Sequence, residues 1–341
     1  MACNNDWSPL EEIIVGTADY ASIPLTNIST MKCQFPEYEE EYIKQYTGFF
    51  PQQIIDEQNE DLEKLSDVLK KLGVKVHRPD TQYAEIETVS PNWRGKNWHY
   101  HCPRDLTLVV GDTLIETPSP IWNRQYETWA YRKIFTELFN EGYNWVKAPI
   151  PILYDENYKE NTKGVPALNN LEILFEAANC IRINEDILYQ VSNTGNENGA
   201  KWLQRTLGDK YKIHVATDLY SYAHLDSTIV PLREGLVLYN AHRVTPQNEP
   251  EIFKSWDKIW INECVGPDTS PLNLPWGASE WIGLNLLSIN ENLAIVDKKQ
   301  TQIHERMKSF GIETIPLELR HDRIISGGFH CVTLDLKRKI S

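Results

Sequence analysis

Four segments of this sequence repeat one pattern: a β-rich run, a short polar turn and a second β-rich run. DLTLVVGDTLIET (105–117), CIRINEDILYQV (180–191), STIVPLREGLVLYN (227–240) and NLLSINENLAIVD (285–297) each read as a hairpin, turning at GD, NED, REG and NEN. They recur at irregular intervals of about fifty to seventy residues, and helix-like stretches such as ETWAYRKIFTELFNEGYNW, GAKWLQRTLGDKY and KQTQIHERMKSFG lie between them. Units of this kind bury their apolar faces by packing on their neighbours, which predicts a closed or stacked α/β architecture. The first hundred residues supply a further unit: LEEIIVGT reads as a strand, and LEKLSDVLKKL as a helix stopped at Gly73 and followed by a strand. A two-domain α/β chain is the alternative, but no Pro/Gly/Ser-rich linker supports it, so residues 1–341 are read as a single domain.

A net charge of −14 argues against binding a phosphate backbone, which needs clustered Lys and Arg, and admits a small cationic substrate. Hydrophobic residues make up 41% and charged residues 24%, a globular balance. MACNNDWSPLEEIIVGTADY carries no basic segment followed by an apolar one, and no run reaches the roughly 18 apolar residues of a membrane span. The six cysteines, at 3, 33, 102, 180, 264 and 331, form no CxxC pair, so they are read as free thiols in a reducing cytoplasm.

Reactive side chains recur at one edge of the repeated unit. Asp105 opens the first hairpin, Glu176 precedes the second in FEAANCIRI, His224 and Asp226 precede the third in AHLDSTIV, and Cys331 opens the last strand after SGGFH. A lone Cys after a Gly-Gly turn is more often a buried structural thiol. In a ring of units, however, these edges face one centre, which brings an acid, a histidine and a thiol together. His224 and Asp226, two residues apart, would share a face if that segment is a strand. A carboxylate in the apolar FEAA setting needs a partner, whether in a site, a cap or a core ion pair. His99, His101 and Cys102 in HYHCPRD match no strong zinc spacing, so no metal site is predicted. Arg124 in WNRQYE and Arg243 in NAHRV could each clamp a carboxylate or form an ordinary ion pair.

Taken in order, CPRDLTLVVGDTLIETP, FEAAN, HLDSTIVPLREGLVL, SEWIGLNLL and GGFHC resemble the amidinotransferases that move an amidino group from arginine to an amine. The likeness runs from NDWSPLEEIIVGTA to GGFHCVTLDLKR, nearly the whole chain, and is similar above all to bacterial inosamine-phosphate amidinotransferases. Enzymes of cyanobacterial guanidino-toxin pathways and, more distantly, glycine amidinotransferase share it. The resemblance implies a five-unit β/α propeller, pentein-like and pseudo-fivefold, around a central site. It places the nucleophile on Cys331, the acid/base on His224, and the guanidinium-binding acids on Asp105 and Asp226. It places a carboxylate clamp on Arg243 with a contribution from Arg124, and further substrate contacts on Ser279, Ala223 and His330. One departure stands out: relatives carry FDAA where this chain has FEAA, so the partner of the histidine is Glu176.

The implied reaction passes through an amidino-cysteine, releases ornithine and needs no cofactor. Its partners are small molecules, with no nucleic acid or membrane; relatives suggest a homodimer and a place in toxin or antibiotic biosynthesis. Water reaching the same intermediate would make the protein a guanidino-group hydrolase, and a non-catalytic guanidino-compound binder is the third reading. Eleven tryptophans could supply a water-excluding lid. Glycine-specific relatives carry Met before the histidine where this chain has Ala223, so the expected acceptor is larger than glycine.

Overall fold

The computed structural model describes residues 3–160, 162–267 and 269–339. Each predicted hairpin forms: Thr107–Val110 with Thr113–Glu116, Cys180–Ile183 with Asp186–Gln190, Ile229–Arg233 with Leu236–Asn240, and Leu287–Asn290 with Leu293–Asp297. Left-handed residues such as Asn184 (φ 60°) and Gly235 (φ 79°) close the turns, as tight hairpins require.

In every case the second strand also pairs in parallel with a third strand, namely Asn144–Lys147, Lys212–Ala216, Asp257–Ile261 or Glu313–Leu317. A parallel partner needs a crossover, and helices Arg132–Asn140, Glu197–Leu207 and Thr301–Ser309 provide three of the four. Between Asn240 and Asp257 only the short turn Glu251–Phe253 is helical. The fifth sheet is built from both chain ends: Leu10–Val15 pairs antiparallel with Thr333–Arg338 and in parallel with Lys75–His77, after helix Gln52–Lys71.

Leading strands such as Thr107–Val110 and Cys180–Ile183 are buried throughout, whereas third strands such as Asn144–Lys147 are half exposed. The apolar side chains meet between sheets in cyclic order. Val110 and Ile115 pack with Ile187; Ile181 with Val237; Leu236 with Val296; Ile295 with Ile13; and Ile14 with Val109. Each such fully buried side chain contributes about 1.5–3 kcal/mol relative to exposure, so every sheet is held by two neighbours.

Two further features position the site. Asp335 accepts from Arg104 (2.5 Å), Arg182 (2.7 Å) and Arg338 (2.7 Å), tying two sheets and the short helix Pro103–Leu106 together through a buried ionic cluster. Residues outside the five sheets, including Phe35, Ile43, Trp93, Trp98, Leu274 and Ile324, form a separate apolar cluster beside the pocket described next. No helix among the described residues is long and apolar enough to cross a membrane.

Candidate active site

Cys331 lies in a turn two residues ahead of strand Thr333–Arg338 and is buried. The SGG before it is a close approach of backbone to side chains. A Cβ added to Gly327 (φ 141°) would stand 2.6 Å from Cys102 Sγ and 3.1 Å from Cys331 Cβ. Ser326 itself takes φ 69°, costly for a non-glycine residue, and its carbonyl accepts from Cys102 Sγ at 2.8 Å. Asn285 fixes the nucleophile: its Oδ1 accepts from the backbone N–H groups of His330 and Cys331, both at 2.9 Å, and its Nδ2 donates to Cys331 Sγ at 3.1 Å. Sequence reasoning gave Asn285 no role beyond opening a hairpin.

Residues 221–226 are bends and turns, which corrects the strand expectation, so alternation does not govern where His224 and Asp226 point. Nε2 of His224 meets Glu176 Oε2 at 2.6 Å, and Nδ1 lies 3.7 Å from Asp105 Oδ1. The reactive atoms of Asp105, His224 and Cys331 all lie within 4.8 Å of one another. These are also metal-ligand types. Asp226 Oδ2 accepts from Cys331 Sγ at 3.2 Å and from His330 Nδ1 at 3.0 Å.

The longer Glu176 side chain is accommodated by two anchors besides His224. Ser119 Oγ donates to Oε1 at 2.6 Å, and Arg124 Nη1 donates to Oε2 at 3.2 Å. Arg124 also lines the pocket described below. Its guanidinium is spent on Glu127 (3.0 Å), Asp105 (2.9 Å) and Glu176, because burial forces each of these charges to find a partner. His330 bonds Asp226 and lines a small cavity with Asp6 and Ser288. Ser119 and Glu127 had no signal in the sequence beyond polarity.

Arg243 faces the pocket. Its guanidinium stacks 3.6 Å from the Tyr220 ring centroid, donating through Nη1 to Ser227 Oγ and Thr228 Oγ1 and through Nη2 to Ser279 Oγ, with no carboxylate partner among the described residues. The same cavity, about 590 Å³, is lined by Cys331, His224, Ala223, Trp98, Trp276 and Trp281. The other tryptophans lie elsewhere, so three of the eleven border the site. Across the mouth, Tyr222 Oη donates to Glu37 Oε1 at 2.9 Å.

Several buried acids and a buried thiol stand together with a histidine in the site. Burial alone would depress His224, but Asp105, the Cys331 contact and Glu176 overcome it and hold the imidazole well above its ordinary range. The neighbouring Cys102 thiol, burial and Asp226 push the Cys331 thiol well above 9. Burial raises Asp105 despite His224 and Arg124, and pushes Glu127 up to about 8 despite Arg124. Asp226 is held well below the carboxylate range: burial opposes ionisation, but His330, His224 and the Cys331 contact outweigh it. Asp105 Oδ1 is buried without a hydrogen-bond partner among the described residues. An acceptor oxygen in that state, beside a second carboxylate and a thiol, suits a planar cationic donor.

No protein-family model matches the chain. It is 42% identical over 341 residues to inosamine-phosphate amidinotransferase 1 of Streptomyces glaucescens, covering 99% of this chain and 97% of that one. The solved structure of the inosamine-phosphate amidinotransferase of Streptomyces griseus superposes with a TM-score of 0.96 at 41% identity, covering 100% and 97%. An amidinotransferase of the saxitoxin biosynthetic pathway from Microseira wollei superposes with a TM-score of 0.89 at 32% identity, covering 100% and 98%.

Proposed function

The chain belongs to the amidinotransferase family, and from that premise we propose that it moves the amidino group of L-arginine to a primary amine through an amidino-Cys331 intermediate. The convergence of Asp105, His224 and Cys331 within 4.8 Å carries the reading.

Arginine enters with its guanidinium between Asp105 and Asp226 and its carboxylate on Arg243 and Ser279. The incoming cation offsets the carboxylates that raise the thiol, and Cys331 loses its proton to solvent. The thiolate attacks the guanidinium carbon. The bond from that carbon to the side-chain nitrogen of the ornithine portion breaks, and the departing nitrogen takes its electron pair and a proton from Nδ1 of His224. Glu176 keeps the imidazole oriented throughout. The acceptor ammonium then gives a proton to His224 and its nitrogen attacks the amidino carbon. The C–S bond breaks, returning its electron pair to sulfur, and the second proton of the acceptor nitrogen passes to that thiolate, so the product leaves as a guanidinium and the thiol is restored. Arg124 and Glu127 act beneath this set as positioning residues for Glu176 and Asp105, and His330 as one for Asp226.

The five three-stranded sheets and their cyclic apolar clusters support a single-domain, pseudo-fivefold propeller with the site at its centre. Ala223 at the wall leaves room for an acceptor larger than glycine. The six unpaired cysteines suit a reducing, cytoplasmic setting, and the relatives' names suit a role in antibiotic or toxin biosynthesis.

Incubation with arginine alone and then with an added amine tests the reading. Amine-dependent ornithine and a guanidino product are expected. Citrulline from arginine alone would make the protein a hydrolase.

A further inference from the structure

Asn285 is 2% exposed and lies between the short helical turn Glu280–Leu284 and strand Leu287–Asn290. The second glycine of the SGG turn makes room for it: a Cβ on Gly328 would stand 2.7 Å from Asn285 Cβ and 2.9 Å from its Oδ1. The partners of the amide fix its orientation. Oδ1 accepts from the backbone N–H groups of His330 and Cys331, and a flipped amide would set its own N–H groups against both donors. Nδ2 therefore faces Cys331 Sγ at 3.1 Å, and it has no other hydrogen-bond partner among the described residues.

The Cys102 thiol, burial, Asp226 and Asp105 all oppose a negative charge on that sulfur, while the His224 contact favours it. The proton of His224, however, is committed to the departing nitrogen. The amide of Asn285 does not titrate and has no other acceptor. Charge stands on sulfur twice in the reaction, before the thiolate attacks and when the C–S bond returns its electron pair. We propose that Asn285 is a catalytic residue, its Nδ2 donating to the Cys331 sulfur as that charge develops, both when the amidino adduct forms and when it is discharged. This rests on the amidinotransferase reading.

Two variants test donation apart from positioning. Asn285→Asp keeps an oxygen for the two backbone N–H groups and offers sulfur no amide proton; Asn285→Leu removes the donor without adding a charge. Below the thiol midpoint the alkylation rate follows the thiolate fraction. Iodoacetamide at neutral pH, with peptide mapping, should therefore label Cys331 roughly tenfold or more slowly in both variants than in wild type, the scale of one hydrogen bond to a charged group. Ornithine release at saturating arginine should fall by a similar factor, with KM for arginine changing far less. Wild-type labelling or wild-type ornithine release in either variant, at matched folded concentration, would overturn the proposal and leave Asn285 a positioning residue. A wild-type protein that releases no ornithine from arginine would instead remove the reading beneath it and the catalytic role with it, a failure that the labelling rates, which need no substrate, tell apart from loss of the contact.

Discussion

Glu176 holds Nε2 of His224 at 2.6 Å while Ser119 and Arg124 grip the same carboxylate from behind. The contact keeps Nδ1 on the Cys331 side and favours the imidazolium that serves as acid. Glu176→Gln should therefore cost roughly a hundredfold or more in ornithine release, the scale of general acid catalysis. Glu176→Asp, which keeps the charge, should cost much less. Equal activity of Glu176→Gln and wild type, at matched folded concentration, would make Glu176 a structural residue.

The resting thiol is held protonated by its surroundings, the Cys102 thiol first, then burial and Asp226. Alkylation of Cys331 by iodoacetamide, followed across pH, should show a midpoint above 9. A raised thiol pKa means slow modification at neutral pH and a rise only on the alkaline side. Cys102→Ala and Asp226→Asn should each move the midpoint down. An ordinary midpoint in the wild type would contradict this charge balance.

The sequence made the four hairpins legible because alternation and turn residues are local signals. Closure of the fifth sheet was not, since Leu10–Val15 finds its antiparallel partner in Thr333–Arg338, at the other end of the chain. Cys331, His224, Asp105 and Asp226 could be named from motif order. Their packing could not: the strand parity assumed at His224 fails because residues 221–226 bend. Arg124 and Glu127, three apart, look like a surface ion pair in sequence, yet both are buried beneath the site. Nothing local marks Asn285 as the residue that holds the nucleophile's backbone and sulfur.

Asp335 is the shared anion of Arg104, Arg182 and Arg338. Asp335→Asn would leave three buried guanidiniums without it and should cost about 3–5 kcal/mol, read from urea unfolding. Burial opposes its ionisation, but the three arginines win and hold the carboxyl well below 3.8. Its contribution is therefore fully present above the ordinary carboxylate range and is lost as pH falls below it. A loss under about 1 kcal/mol, typical of an exposed pair, would show that the cluster carries little of the fold.

Ala223 borders the cavity between Tyr222 and His224, and its carbonyl accepts from Gln190 Nε2 at 2.7 Å, which fixes the bend. Ala223→Met should reduce use of bulky amines, such as amino-cyclitols, several-fold more than it reduces ornithine release, in keeping with the roughly 10–200-fold reach of pocket size on specificity. Glycine emerging as the best acceptor of the unaltered protein would rule out the size argument.

A covalent bond at Cys331 underlies the whole reaction, so the most direct measurement is the intact mass of the protein after brief exposure to arginine without acceptor, with peptide mapping of any adduct. One amidino group on Cys331 is expected, discharged by an added amine, with no adduct on Cys331→Ser. An unmodified protein that still transfers the amidino group, or an adduct on another residue, would contradict it.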